Sequence, residues 1–291
     1  MVKDRPSIKL IECPRDAMQG IHDFIPTAEK AEYINQLLKI GFDTLDFGSF
    51  VSPKSIPQMA DTAAVLDLLQ LDNSPTKLLA IVANLRGARE AAAFAQIDYL
   101  GFPFSVSEIF QIRNTNATIE ESFATVCRIQ DVCLQKGKKL VVYLSMGFGN
   151  PYGERYNPEM VARWVDRLAG VGIGILSFSD TVGVAEPTSI SALYGHITPG
   201  YPEIEFGVHL HSHPHTRIEK LEAAYQSGCS RFDGALFGYG GCPMALDDLV
   251  GNMATEVMVS FFEEKDISLN IDMIALNKAQ MTATSLFSTY H

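Results

Sequence analysis

The chain has 291 residues, 47% of them hydrophobic and 20% charged, which is enough apolar sequence to bury a large core and too much for a disordered chain. A formal charge of −11 excludes a general nucleic-acid binder, which needs clustered Lys and Arg, but leaves room for a local patch that takes a small anion. Five cysteines without a C-x-x-C pair exclude a disulfide framework and a zinc knot, and no apolar run approaches the ~20 residues of a membrane span. The polar start, Met1 to Ser7, has no secretory or transit character, so a cytoplasmic protein that binds no membrane is expected.

In chain order, a β-rich run at 8–12 precedes a helical pattern at 27–39. The pairing repeats as 44–47 with 58–71, 78–82 with 86–94, 97–102 with 119–136, and 140–144 with 159–168. It continues as 175–178 with 188–196, 205–211 with 215–226, and 231–235 with 246–263. The helical stretches carry apolar residues at three-to-four spacing. Gly41, Gly137, Gly172 and Gly228 each stand between a helix and the next strand, where a left-handed C-terminal residue is expected. Thr118 and Glu121 form a capping-box pattern at the head of the fourth helix. Eight alternating units predict a (β/α)8 TIM barrel forming a single catalytic domain, with a C-terminal helical segment at about 272–291. A doubly wound open sheet is the alternative.

In a barrel the C-terminal ends of the strands carry the site. The residues predicted there are Arg15 and Asp16, Asp46 and Ser49, Asn84, Glu108, Asp180 and Thr181, His209 and His211, and, beyond the eighth strand, Cys242 and Asn252. His209 and His211 stand two apart on an alternating strand, so both imidazoles point to one face. With the Asp16 carboxylate and the Asn252 amide oxygen they make an N2O2 set suited to an octahedral Mg2+ or Mn2+. The plainer reading is that one histidine caps the strand and the other packs.

Arg15, beside Asp16, can hold a carboxylate or an enolate oxygen through charge-assisted hydrogen bonds, or merely form a surface pair. Gly238 to Pro243 is a glycine-rich loop that presents the Cys242 thiol, either a proton-transfer group or an inert turn residue. Cys13, Cys127, Cys133 and Cys229 read as packing residues, and His213 and His215 as solvated loop residues.

Several segments resemble the 3-hydroxy-3-methylglutaryl-CoA lyases. They are Pro14 to Gln19, Ser49 to Lys54 with Pro57 to Met59, Ser107-Glu108 with Asn114 and Asn116, and Ile119 to Ser122. Asp180 to Val184, His209-Leu210-His211, Gly240 to Pro243 and Gly251 to Glu256 continue the match in family order from residue 8 to about 260. Phe50 to Lys54 with Pro57 to Met59 and the Gly-Gly-Cys-Pro loop are the elements particular to the lyases, whereas the Arg-Asp, His-x-His and Gly-Asn elements are shared with the wider group of metal-dependent barrel lyases and Claisen-type synthases.

The resemblance implies cleavage of 3-hydroxy-3-methylglutaryl-CoA to acetyl-CoA and acetoacetate, the chemistry of leucine degradation and ketone-body formation. It implies an acyl-CoA substrate, a homodimer, and a divalent ion on Asp16, His209, His211 and Asn252. It assigns enolate stabilisation to Arg15, proton transfer to Cys242, and base work to Asp16 or His209. Gln19, Asp46, Ser49, Asp180 and Glu256 take supporting positions.

Five departures stand out. Asp46 replaces the family's usual Glu, and Ala17-Met18 replaces Gly-Leu. Ser212 stands where an Asp usually follows the second histidine, removing a carboxylate that could support the metal ligands. Gly149 to Tyr152 and Asp247 to Val250 also differ. The competing readings are a related lyase or synthase acting on another acyl-CoA or 2-oxo acid, and a non-catalytic metal-binding barrel.

Overall fold

A computed structural model describes residues 7–72, 74–241 and 250–290. Eight parallel strands close into a barrel in sequence order: β1 (Lys9–Glu12), β2 (Thr44–Ser49), β3 (Lys77–Ile81), β4 (Ile97–Ser105), β5 (Lys139–Ser145), β6 (Ile175–Asp180), β7 (Glu205–Leu210) and β8 (Arg231–Gly234). Pairing of β1 with both β2 and β8 completes the ring and rules out the open-sheet alternative. The helices are α1 (Pro14–Gln19), α2 (Thr27–Leu37), α3 (Thr62–Leu66), α4 (Leu85–Ala92), α5 (Glu108–Thr115) and α6 (Ile119–Lys136). They continue with α7 (Pro158–Gly170), α8 (Pro187–Ile197), α9 (Arg217–Gln226), α10 (Thr255–Glu263) and α11 (Met273–Thr289).

The local signals read from sequence reappear as geometry. Gly41, Gly137, Gly172 and Gly228 have φ of +98°, +65°, +82° and +95°, the left-handed conformation in which glycine avoids the Cβ clash. The capping box at α6 is reciprocal, with Glu121 N–H donating to Thr118 Oγ1 at 3.2 Å and Thr118 N–H to Glu121 Oε2 at 2.8 Å.

Four elements differ from expectation. The helix predicted at 58–71 shrinks to a 3-10 turn, Pro57–Met59, and the short α3, because Gln58 and Asp61 have other partners. The buried Lys30 ammonium takes the Gln58 carbonyl, and the Gln58 side chain bonds Ile21 O, Asp23 O and Ile25 N. The helix predicted at 246–263 begins only at Thr255; residues 246–249 lie outside the described residues. The stretch before α10 is extended, because Asn252 bridges His211 and Ala254 bridges Ala235. Finally, α1 and α5 were not anticipated: Arg15 and Asp16 sit on a one-turn helix led by Pro14, and Glu108 starts a helix capped by Ser107, whose Oγ accepts from Phe110 N–H at 3.1 Å.

The barrel interior is divided. Leu79, Ile81, Tyr99, Val141, Tyr143 and Ile175, from β3 to β6, form a small apolar cluster separate from the main core between strands and helices. On the side of β7, β8, β1 and β2 the buried residues include Arg231, Asp233 and Asp46, with His209 and Glu205 partly buried beside them. This arrangement places polar chemistry against one wall and an apolar face against the other. The C-terminal segment forms α11, capped by Asp272, and packs beside α2 with the Phe287 ring edge-on to Tyr33 and stacked on Tyr239 at 4.3 Å.

Candidate active site

The parallel barrel brings the ends of β1, β2, β7 and β8 together. An oxygen of Asp16 and ring nitrogens of His209 and His211 lie within 4.8 Å of one another. The Asp16 carboxylate accepts three hydrogen bonds, on Oδ1 from Arg15 Nη1 at 2.9 Å and Gln19 Nε2 at 2.6 Å and on Oδ2 from Asn252 Nδ2 at 2.6 Å, which leaves Oδ2 one lone pair. Asn252 Nδ2 also donates to Tyr239 O at 2.8 Å, whereas Asn252 Oδ1 is buried without a partner. A buried amide oxygen without a donor costs about 1–3 kcal/mol, and it belongs to a residue whose amide bonds Asp16 and whose backbone bridges His211, a donor set that fits a hard divalent cation. Gly240 closes over this point with φ +92°; a Cβ there would lie 2.7 Å from Asp16 O and 2.8 Å from Asn252 Nδ2.

Arg15 is held as a fork. Its Nε donates to Asp46 Oδ1 at 3.2 Å and Oδ2 at 3.0 Å, Nη2 donates to the same carboxylate, and Nη1 reaches Gln19 Oε1 at 2.9 Å. The shorter Asp46 therefore contacts the guanidinium directly. One N–H on Nη2 is left over, and Arg15 lines the cavity above the barrel.

The electrostatics follow from burial and pairing. Burial by itself would raise Asp16, but Arg15, the two histidines and the Asn252 amide together hold it below the ordinary range. Asp46 is pushed up to about 6 by burial, against the pull of Arg15. For His209, burial opposes the charge, yet Asp233 Oδ2, 3.4 Å from Nδ1, and Asp16 raise it. His211 is lowered to about 4 by burial and by His209, so it is a neutral, ligand-ready imidazole at pH 7.

The remaining predicted residues are placed as follows. Asp180 lies at the end of β6, 1% exposed, and accepts from Lys220 Nζ at 3.0 Å. Ser49 bonds Ile81 O and Val51 N–H, and Glu256 accepts from Phe237 N–H at 3.0 Å; both stand behind the cluster. Asn84 and Glu108 serve helix starts, accepting from Gly87 N–H and Ile119 N–H. Ser212 faces Met253 Sδ at 3.7 Å, away from the imidazoles. His213 and His215 stack on each other in exposed positions. Cys242 lies outside the described residues.

Three contributors were not identified from sequence. Asp233 backs His209 from β8; the signal was a second charged residue two positions after Arg231 in a strand. Cys13 lies with His209 and Asp233 in a second close group, although burial pushes its thiol well up and keeps it neutral. Lys220 is a lysine on the apolar stripe of α9, three and four residues before the buried Ala223 and Ala224.

A cavity of about 800 Å3 opens onto these groups, lined at its floor by Arg15, Asp16, Tyr143, Ser179, Thr181, His209 and His211. The Tyr143 hydroxyl is buried and unpartnered there.

Proteins similar to this chain match it along most of their length. The chain is 32% identical to the (R)-citramalyl-CoA lyase of Chloroflexus aurantiacus over 272 residues, 90% of this chain and 85% of the relative. It is also 32% identical to the hydroxymethylglutaryl-CoA lyase of Bacillus subtilis over 266 residues, 91% of this chain and 88% of that one. An HMG-CoA lyase of A. baumannii in complex with coenzyme A and 3-methylmalate superposes with a TM-score of 0.89 at 30% identity, covering 99% of this chain and 93% of that one. With the HMGL-like family model matching residues 8–282, on a closed eight-stranded barrel, the chain belongs to the HMGL-like lyase family.

Proposed function

We infer that the protein is a divalent-metal-dependent carbon–carbon lyase that cleaves 3-hydroxy-3-methylglutaryl-CoA to acetyl-CoA and acetoacetate. The observation that carries this reading is the close group of Asp16, His209 and His211 at the wall of an 800 Å3 cavity, with Asn252 bonded to Asp16 through Nδ2 and its Oδ1 buried and unpartnered. Asp16, His209, His211 and Asn252 hold the ion, Mg2+ or Mn2+ by donor type. When bound, it supplies Lewis acidity that lowers the pKa of the substrate's tertiary hydroxyl.

The chain's own groups account for the remaining requirements. The hydroxyl proton passes to the Asp16 carboxylate, which is ionised at neutral pH, while Asp233 orients His209 as a ligand. The C2–C3 bond then breaks, the hydroxyl carbon becomes the ketone of acetoacetate, and the electron pair passes to the thioester as an enolate. The uncommitted Arg15 N–H meets that enolate oxygen, with Asp46 and Gln19 holding the guanidinium in place. Cys242 returns a proton to C2, giving acetyl-CoA. The reading extends to a single catalytic domain acting as a cytoplasmic homodimer; among the described residues no helix is long and apolar enough to cross a membrane.

A second substrate is favoured by the equal identity to a citramalyl-CoA lyase. Citramalyl-CoA presents the same hydroxyl and thioester and differs in carrying its carboxylate on the hydroxyl carbon, so the same cleavage yields acetyl-CoA and pyruvate. Purified protein with Mg2+ or Mn2+ is given each thioester in turn, and acetoacetate and pyruvate are measured. Acetoacetate from the first substrate, lost in Arg15→Ala, is expected. Pyruvate alone would reassign the substrate, and neither product from folded, metal-loaded protein would overturn the lyase reading.

A further inference from the structure

We propose that Lys220 is a positioning residue for the metal site, a cationic strap that fixes His211 in its ligating place; this rests on the metal reading above. Lys220 lies on α9, one turn beyond its start, and is 3% exposed. Its ammonium has three donors and three partners, one on each part of the rim that must stay in register. It donates to His211 O at 2.9 Å, to Asp180 Oδ2 at 3.0 Å and to Gly183 O at 3.2 Å. The first lies just past the end of β7, the second ends β6, and the third belongs to the loop that follows β6.

His211 needs such a hold. It lies beyond the last residue of β7, where a bridge to Asn252 holds its neighbours through Ser212 N–H to Gly251 O at 2.9 Å and Met253 N–H to Leu210 O at 3.1 Å, but among the described residues its own carbonyl takes no backbone donor. Neighbouring side chains do not supply it. Ser212 turns to Met253, and α9 has no side-chain cap at Thr216. Asp180 in turn is tied to Ala185 N–H at 3.1 Å, so the strap joins His211 to a fixed point. A compact ammonium with three separable donors suits three carbonyl or carboxylate acceptors in different directions, as the planar fork of an arginine does not.

Two physical effects of Lys220 on a nearby cation have opposite signs, and this makes the role testable. By Coulomb interaction alone, replacing the ammonium with an apolar chain removes a positive charge and frees the Asp180 anion, which tightens cation binding. By positioning, the same change releases the His211 backbone and weakens binding, by roughly 10–100-fold as for other groups that orient metal ligands.

The experiment titrates Mn2+ into full-length wild type, Lys220→Met, Lys220→Arg and His211→Ala, reading free Mn2+ by electron paramagnetic resonance. The expected result is a Kd raised at least roughly tenfold in Lys220→Met and partly restored in Lys220→Arg. An unchanged or lower Kd in Lys220→Met would overturn the strap. Should Lys220→Met not fold, Lys220→Gln is read instead: its uncharged amide has too few donors for the three acceptors, so its Kd must also rise, and an unchanged or lower value overturns the role. Wild type that binds Mn2+ no better than His211→Ala would overturn the metal-site reading itself, and the strap with it.

Discussion

Glu12 carries the sharpest stability prediction. It ends β1, is fully buried, and accepts from Leu236 N–H at 2.9 Å and from the Thr255 hydroxyl at 2.5 Å, joining β1 to the start of α10. Burial pushes its pKa from 4.5 up to about 8, against those two hydrogen bonds. The folded chain therefore keeps a proton that the unfolded chain has already lost, and stability falls as pH rises from about 4.5 to about 8. Below that window both states are protonated; above it both are ionised. At about 1.4 kcal/mol per pH unit, the full interval amounts to roughly 5 kcal/mol. Glu12→Gln keeps an acceptor for Leu236 N–H, offers an amide donor to Thr255, and has nothing to ionise. Urea midpoints of metal-free protein, followed by fluorescence of the single Trp164 on α7, are to be compared at pH 5, 6.5 and 8.5. The variant should match wild type at pH 5 and exceed it increasingly above pH 6. Parallel curves for the two proteins across that range would refute the reasoning.

Other outcomes follow from the site. Asn252→Ala removes the orphan oxygen and the amide that bonds Asp16; its Mn2+ Kd should rise at least roughly tenfold by calorimetry. Asp46, raised to about 6, gains a proton as pH drops through that value and loosens its hold on Arg15. The acid limb of kcat/KM near pH 6 should therefore vanish in Asp46→Asn, whose rate stays low at all pH, and a retained limb would assign it to another group. Gly240→Ala drives a Cβ to within 2.7 Å of Asp16 O and 2.8 Å of Asn252 Nδ2, so it should weaken metal binding in calorimetry while leaving the far-ultraviolet circular dichroism unchanged.

Much of the architecture was local and hence legible. Strand and helix periods, the four left-handed glycines and the Thr118–Glu121 box depend on residues a few positions apart. The His209–His211 pair was readable for the same reason, because alternation along a strand fixes a common face. Asp16 was expected to reach that pair from the opposite side of the barrel, whereas closure of the ring sets β1 beside β8, which itself pairs with β7. The helix predicted across 250–254 went wrong because Asn252 pairs with His211, a contact that no periodicity encodes. Similarly, Gln58 supports the loop before α2 instead of a helix, since its carbonyl and amide meet Lys30 and Ile25.

What the chain's own pattern determined was the order of eight β/α units and the set of polar residues presented at the strand ends. What only the tertiary structure decided was how those residues are held: Asp233 behind His209, Asp46 gripping Arg15, and Lys220 tying His211 to Asp180. The division has one physical cause. Backbone periodicity and capping are decided within a few residues, whereas the charge, burial and hydrogen bonds of a side chain depend on partners brought from 24, 31 or 40 positions away, or, for Asn252 and Asp16, from 236.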